Sequence, residues 1–134
     1  YRIMYDRFVN KHHLDNLIWV HNSPKAVNYP GDDVVDVISR DLYPPEHQHT
    51  DLAKEYEEMR TVTQSDKLCA VGEIGTIPDV PALTEHGIPW CWFMTWSHDF
   101  GTSDRFTSQK ELRRAYSCEN AVTLDRLPEI YHFE

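Results

Sequence analysis

The chain has 134 residues, 40% hydrophobic and 26% charged, which suits one folded domain with a sizeable core and is too apolar for a disordered segment. Its formal net charge of −9 with histidine neutral lacks the clustered Lys and Arg that a nucleic-acid backbone demands, and no apolar run is long enough to span a membrane. Three cysteines, Cys69, Cys91 and Cys118, form an odd set without metal-ligand spacing and read as buried free thiols.

The first residues already carry an amphipathic helical pattern, with Tyr1, Met4, Tyr5, Phe8, Val9 and His12 on one face. No capping residue precedes that helix, so the natural amino terminus is expected upstream, and the helix is expected to end near His13. Leu17-Ile18-Trp19-Val20 reads as a short strand ending at His21 and Asn22, followed by a turn-rich connection through Tyr29-Pro30-Gly31-Asp32-Asp33. Val34 to Ser39 reads as a second strand, which exits through Asp41-Leu42-Tyr43 into the diproline Pro44-Pro45. From Thr50 or Asp51 as cap, a helix is expected to Arg60, burying Leu52, Ala53, Tyr56 and Met59.

Leu68 to Gly72 is the third strand. A short helix capped by Asp79 follows, with Pro81 near its start and Gly87 at its end. Pro89 to Trp96 is the fourth strand, with Trp90 and Trp92 expected in its core and Trp96 at its rim. Ser108 and Glu111 form a capping box for a last helix that buries Leu112, Ala115 and Tyr116. The alternation is that of an α/β fold, a parallel sheet with helical cover.

The chemistry concentrates at Lys67-Leu-Cys-Ala-Val-Gly-Glu-Ile-Gly75, where an apolar strand ends in a carboxylate set between two glycines. Parallel sheets place their chemistry at the carboxyl ends of their strands, and Gly72 and Gly75 would let the backbone approach a ligand closely. These residues alone fit either a solvated glutamate at an ordinary strand end or a catalytic Glu73. The other strand ends carry His21 and Asn22, Asp41 and Tyr43, and Trp96 with His98 and Asp99. A rim that combines a glutamate, a tyrosine and a tryptophan suits sugars, whose C–H faces stack on indole while their hydroxyls meet carboxylates and amides. Three functional classes stay open here: a glycoside hydrolase, a non-catalytic glycan-binding module using Trp96 and the acidic rim, and a metal-dependent hydrolase centred on His47, His49 and Asp51. The last set lies between a diproline and a helix start, not on a strand that would align two imidazoles on one face.

Leu17-Ile-Trp-Val20, Tyr29-Pro-Gly-Asp-Asp33 with Val35-Asp36, Asp41-Leu-Tyr43, Gly72-Glu-Ile-Gly75 and Pro89-Trp-Cys-Trp-Phe-Met-Thr-Trp96, in this order, resemble glycoside hydrolase family 26, and most of all its β-mannanases. The resemblance covers nearly the whole chain. It implies strands five to eight of a (β/α)8 TIM barrel with helices outside, so that residues 1–134 are a partial catalytic domain whose missing amino-terminal half is a required partner. It implies retaining cleavage of internal β-1,4-mannosidic bonds in β-mannan, glucomannan or galactomannan, a secreted or extracellular enzyme, and no cofactor. Glu73 would be the nucleophile, Tyr43 its hydrogen-bond donor, Asp41 a supporting carboxylate, Trp96 the stacking platform and His21 a substrate contact. His21 stands where these mannanases would carry a second tryptophan. The family's acid/base glutamate ends strand four, ahead of Tyr1, so the isolated chain is expected to be inactive, and Glu46 and Glu85 are not placed to substitute.

Overall fold

A computed structural model describes residues 1–23 and 25–127. Four strands, β1 (Val20–Asn22), β2 (Val37–Leu42), β3 (Leu68–Ile74) and β4 (Trp90–Thr95), form one sheet in sequence order. Every neighbouring pair is parallel. The connections carry helices, as parallel crossovers require: α2 (Ala53–Arg60) joins β2 to β3, and α3 (Val80–Glu85) joins β3 to β4. Helix α1 (Arg2–Tyr5) opens the chain and runs on as a π-helical stretch over Asp6–Lys11. After β4 come the short α4 (Asp99–Thr102), which the sequence pattern did not announce, and α5 (Gln109–Tyr116). Among the described residues no helix is long and apolar enough to cross a membrane.

The strands begin later than the apolar runs suggest. Leu17-Ile18 lies outside the ladder and Ile18 is 75% exposed. Trp19 is tied instead by its backbone, donating to Asp36 Oδ2 at 2.7 Å and accepting from the Asp36 and Val37 amides at 2.8 and 3.2 Å. Residues Asp32–Val34 wind into a 3-10 turn in place of the expected strand start. Gly31 adopts φ 112° ahead of that turn, and both aspartates are engaged by partners distant in sequence. Tyr29 and Ser65 hydroxyls donate to Asp32, and Arg2 pairs with Asp33.

The capping predictions fare better. Asp79 accepts from the Ala82 amide at 3.1 Å, Ser108 from the Glu111 amide at 3.3 Å, and Gly87 closes α3 at φ 65°. Leu52, in a left-handed conformation, rather than Thr50 or Asp51, is the residue flanking α2, although Asp51 accepts from the Ala53 amide at 3.2 Å.

The core lies between the sheet and the helices. Val34, Val35, Ile38, Met59 and Cys69 form one cluster, Leu42, Leu52, Val71 and Ile74 a second, and Ile77, Val80 and Ala115 a third under α5. Truncating a wholly buried residue such as Ile38 to alanine costs about 2–5 kcal/mol, whereas an exposed ion pair contributes about 0–1 kcal/mol. The sheet–helix core therefore holds the fold, and Arg40–Glu58 and its like adjust it.

Three expectations about that core need correction. Trp92 is 41% exposed, because β4 carries one extra residue between Trp90 and Phe93 relative to β3, which turns Trp92 away while Trp90 and Phe93 pack inward. Cys91 is exposed rather than buried, and Tyr116 is half exposed beside Phe93.

Among the described residues, strands β1 and β4 have free edges, and Leu68 on the sheet is 60% exposed. Unpaired edges beside apolar side chains invite association. The isolated chain should therefore sediment as oligomers and bind an apolar dye; a dye-silent monomer would contradict this.

Candidate active site

Chemistry gathers at the carboxyl end of β2 and β3, and one inserted residue in β3 creates it. Arg40 pairs with Val71 and Leu42 with Ile74, so the interval between them holds one residue of β2, Asp41, and two of β3, Gly72 and Glu73. Such a bulge re-aims the side chains beside it. A Cβ at Gly72 would sit 2.8 Å from Asn22 Oδ1, 3.0 Å from Asp41 Oδ1 and 3.2 Å from Ser39 Oγ, so the bulge position faces the same side as those three residues and has room for no side chain.

The polar groups around Gly72 are mutually bonded. Asn22 Nδ2 donates to both Asp41 oxygens at 3.0 Å, and Ser39 Oγ donates to Asn22 Oδ1 at 2.8 Å. One carboxamide thus joins β1 to β2, directly beside Gly72 of β3. One residue past β2, the Tyr43 hydroxyl donates to Glu73 Oε2 at 2.6 Å. That short, charge-assisted bond raises the Tyr43 pKa to about 12, since a phenol that donates to a carboxylate resists losing its proton. Trp96 follows β4 directly, its amide donating to the Ile74 carbonyl at 2.9 Å, and its ring is 41% exposed.

His21 stands apart from this group. It pairs with Ile38 of the helix-side core and lies edge-on to Tyr1 and Tyr29 at 5.5 and 5.7 Å. Burial lowers its pKa, and its Nε2 is enclosed without a partner among the described residues. From β1 it is Asn22 that reaches Asp41. The sequence signal for Asn22 was its place at the strand end, one residue beyond His21.

The Glycosyl hydrolase family 26 model matches residues 1–126. The chain belongs to that family. It is 33% identical over 127 residues to a mannan endo-1,4-beta-mannosidase of Thermothelomyces thermophilus, covering 95% of this chain and 26% of the relative. It is 30% identical over 128 residues to mannan endo-1,4-beta-mannosidase A of Piromyces sp, covering 96% and 21%. In structure it matches the GH26-CBM35 β-(1,4)-mannanase of Podospora anserina with TM-score 0.85 and 34% identity, over 93% of this chain and 28% of that one. It also matches the β-mannanase from a symbiotic protist of the termite Reticulitermes speratus, complexed with gluco-manno-oligosaccharide, with TM-score 0.81 and 30% identity, over 95% and 40%. The family-26 chain thus spans about a quarter of the length of the curated relatives it matches. Its parallel sheet and helical cover are part of a (β/α)8 barrel, the fold the resemblance implies.

The alternative metal centre does not assemble. Nδ1 of His49 lies 2.8 Å from the Ile77 carbonyl, Asp51 Oδ2 lies 2.6 Å from His86 Nδ1, and His47 sits exposed in a left-handed conformation. No group of three or more His, Cys, Asp and Glu among the described residues could hold a metal ion. His49 is thus engaged by the Ile77 backbone and Asp51 by His86 rather than by one another.

Two outcomes follow from this geometry. Gly72→Ala should lower stability by about 1–3 kcal/mol, the usual cost of overpacking, read from the denaturant midpoint; an unchanged midpoint would mean that the face has room. The Asp51–His86 pair raises the histidine pKa and lowers the aspartate pKa, each through the hydrogen bond between them. The histidine contribution is complete below its unfolded pKa and vanishes as pH rises through the raised folded value. The aspartate contribution is complete above its unfolded pKa and vanishes as pH falls through the lowered one. Their joint effect is greatest between about pH 4 and 6.5, the two unfolded values. His86→Ala should lose stability there relative to the parent, with the two profiles converging as pH rises above the raised histidine value.

Proposed function

We propose that this chain is the nucleophile-bearing half, strands five to eight, of a retaining endo-β-1,4-mannanase. The observation that carries the reading is the 2.6 Å bond from the Tyr43 hydroxyl to Glu73 at adjacent strand ends of a family-26 chain. Curated relatives named mannan endo-1,4-beta-mannosidases support the reaction, and the termite-symbiont structure complexed with gluco-manno-oligosaccharide supports the substrate class. We extend that class to β-mannan, glucomannan and galactomannan, and assign the enzyme to the extracellular space where such polymers lie.

In this mechanism Tyr43 engages Oε2, and Oε1 of Glu73 attacks the anomeric carbon. The glycosidic oxygen departs with a proton from an acid on the amino-terminal half of the barrel, leaving a glycosyl ester on Glu73. Water, deprotonated by the same acid's conjugate base, then cleaves the ester and restores the configuration. The two carboxyl groups of a retaining pair stand about 5–5.5 Å apart. Glu46 is not assigned as the second; it lies past the diproline on the loop after β2, where Arg105 Nε donates to it at 2.7 Å. Asp41, steadied by Asn22, meets sugar hydroxyls, and Trp96 supplies the stacking face.

Replacing Glu73 by glutamine in the full-length protein should reduce mannan hydrolysis by at least about 10³-fold with folding intact, the scale on which a covalent nucleophile is lost. The 134-residue chain alone should release no reducing sugar from mannan. Turnover by the isolated chain, abolished by Glu73→Gln, would overturn the assignment of a missing acid.

A further inference from the structure

We infer that Phe100 is a positioning residue that holds the Tyr43 phenol at the angle from which it donates to Glu73. The inference rests on the reading of Glu73 as nucleophile. Tyr43 is 50% exposed and lies beyond the last residue of β2, so strand pairing does not fix its ring. What fixes it is built around Gly75. The Gly75 amide donates to the Leu42 carbonyl at 3.0 Å, which keeps that backbone beside β2. A Cβ there would lie 2.9 Å from Phe100 Cε1 and 3.0 Å from Tyr43 Cδ1, so both rings occupy the space that a side chain would need. They meet edge to face, with centroids 5.5 Å apart at 65°.

Phe100 is itself held from behind. Its ring lies 4.1 Å from that of Phe106, and the Arg105 guanidinium stands 5.2 Å above the Phe106 ring. Arg105 donates to Glu46 at 2.7 Å and to Asp99 at 3.4 Å. Glu46 follows Tyr43 across the diproline Pro44-Pro45, whose carbonyls accept from Thr76 Oγ1 at 3.3 and 3.0 Å. The contacts close a circuit from Tyr43 through Glu46, Arg105, Phe106 and Phe100 back to Tyr43.

The test is a double-mutant cycle on the full-length protein, assayed with β-1,4-mannan. Phe100→Ala should lower kcat about tenfold with KM changed less than about twofold, the signature of a reacting group out of place. In a Tyr43→Phe background the same substitution should cost less than about twofold, because the hydroxyl it positions is gone. Phe100→Leu, which keeps apolar bulk, should fall between parent and alanine and serves the same cycle if the alanine variant does not fold. Equal losses in both backgrounds, or a Phe100→Ala variant with the parent's kcat, would overturn the positioning role. Glu73→Gln run alongside separates the two readings. Its inactivity with additive Phe100 losses sinks this inference alone, and undiminished turnover in Glu73→Gln sinks the nucleophile assignment with it.

Discussion

The site depends on a single constraint, the extra residue that β3 inserts opposite Asp41. Without it, the residue after Gly72 would alternate to the helix side, where Leu42, Leu52, Val71 and Ile74 form a dry cluster that could not accept a carboxylate. With it, Glu73 pairs with Asp41 at the rim and meets the Tyr43 hydroxyl. The insertion is possible because Gly72 has no Cβ to press on Asn22 and Asp41. Local backbone irregularity, core burial on one face and a charged rim on the other are therefore one arrangement.

That arrangement explains how few residues carry the chemistry and how many support them. Glu73 has a hydroxyl donor; the donor has an edge-to-face ring; that ring rests on a second ring under a guanidinium. Asp41 has a carboxamide that a serine hydroxyl orients. The supporting groups come from β1, β2, α4 and the loop after it, so the rim is only as ordered as the packing of the elements beneath it. The helix-side core, far stronger than any of these exposed bonds, supplies that order.

Much of this was readable in the residues. The period of the apolar positions and the caps Asp79 and Ser108 located α3 and α5. Glu73 between its glycines, Tyr43 before the diproline and Trp96 after β4 were visible as strand-end groups, and the family resemblance gave them proposed roles. Strand boundaries were less readable, because Leu17-Ile18 and Val34 look like strand while Gly31 and the engaged side chains of Asp32 and Asp33 impose a turn. Trp92 was misplaced for a related reason, since the register shift in β4 leaves no mark in local hydrophobicity. His21 was named as a substrate contact because it stands where the resembled mannanases would carry a second tryptophan, whereas Asn22 beside it makes the contact with Asp41. The aromatic circuit behind Tyr43 joins residues 43 to 106, a separation over which no spacing rule operates.

The trio of Asn22, Ser39 and Asp41 has a meaning for folding as well as for the proposed site. A parallel sheet whose strands slip by one residue turns its apolar side chains to the wrong face and is rejected by the core. A slip of two residues keeps every face correct, so hydrophobicity cannot detect it. It would, however, carry Asn22 away from Ser39 and break the bond that orients its carboxamide. Hydrogen bonds that look like preparation for a substrate thus also discriminate between pairings the core regards as equal, and they do so before any substrate is present.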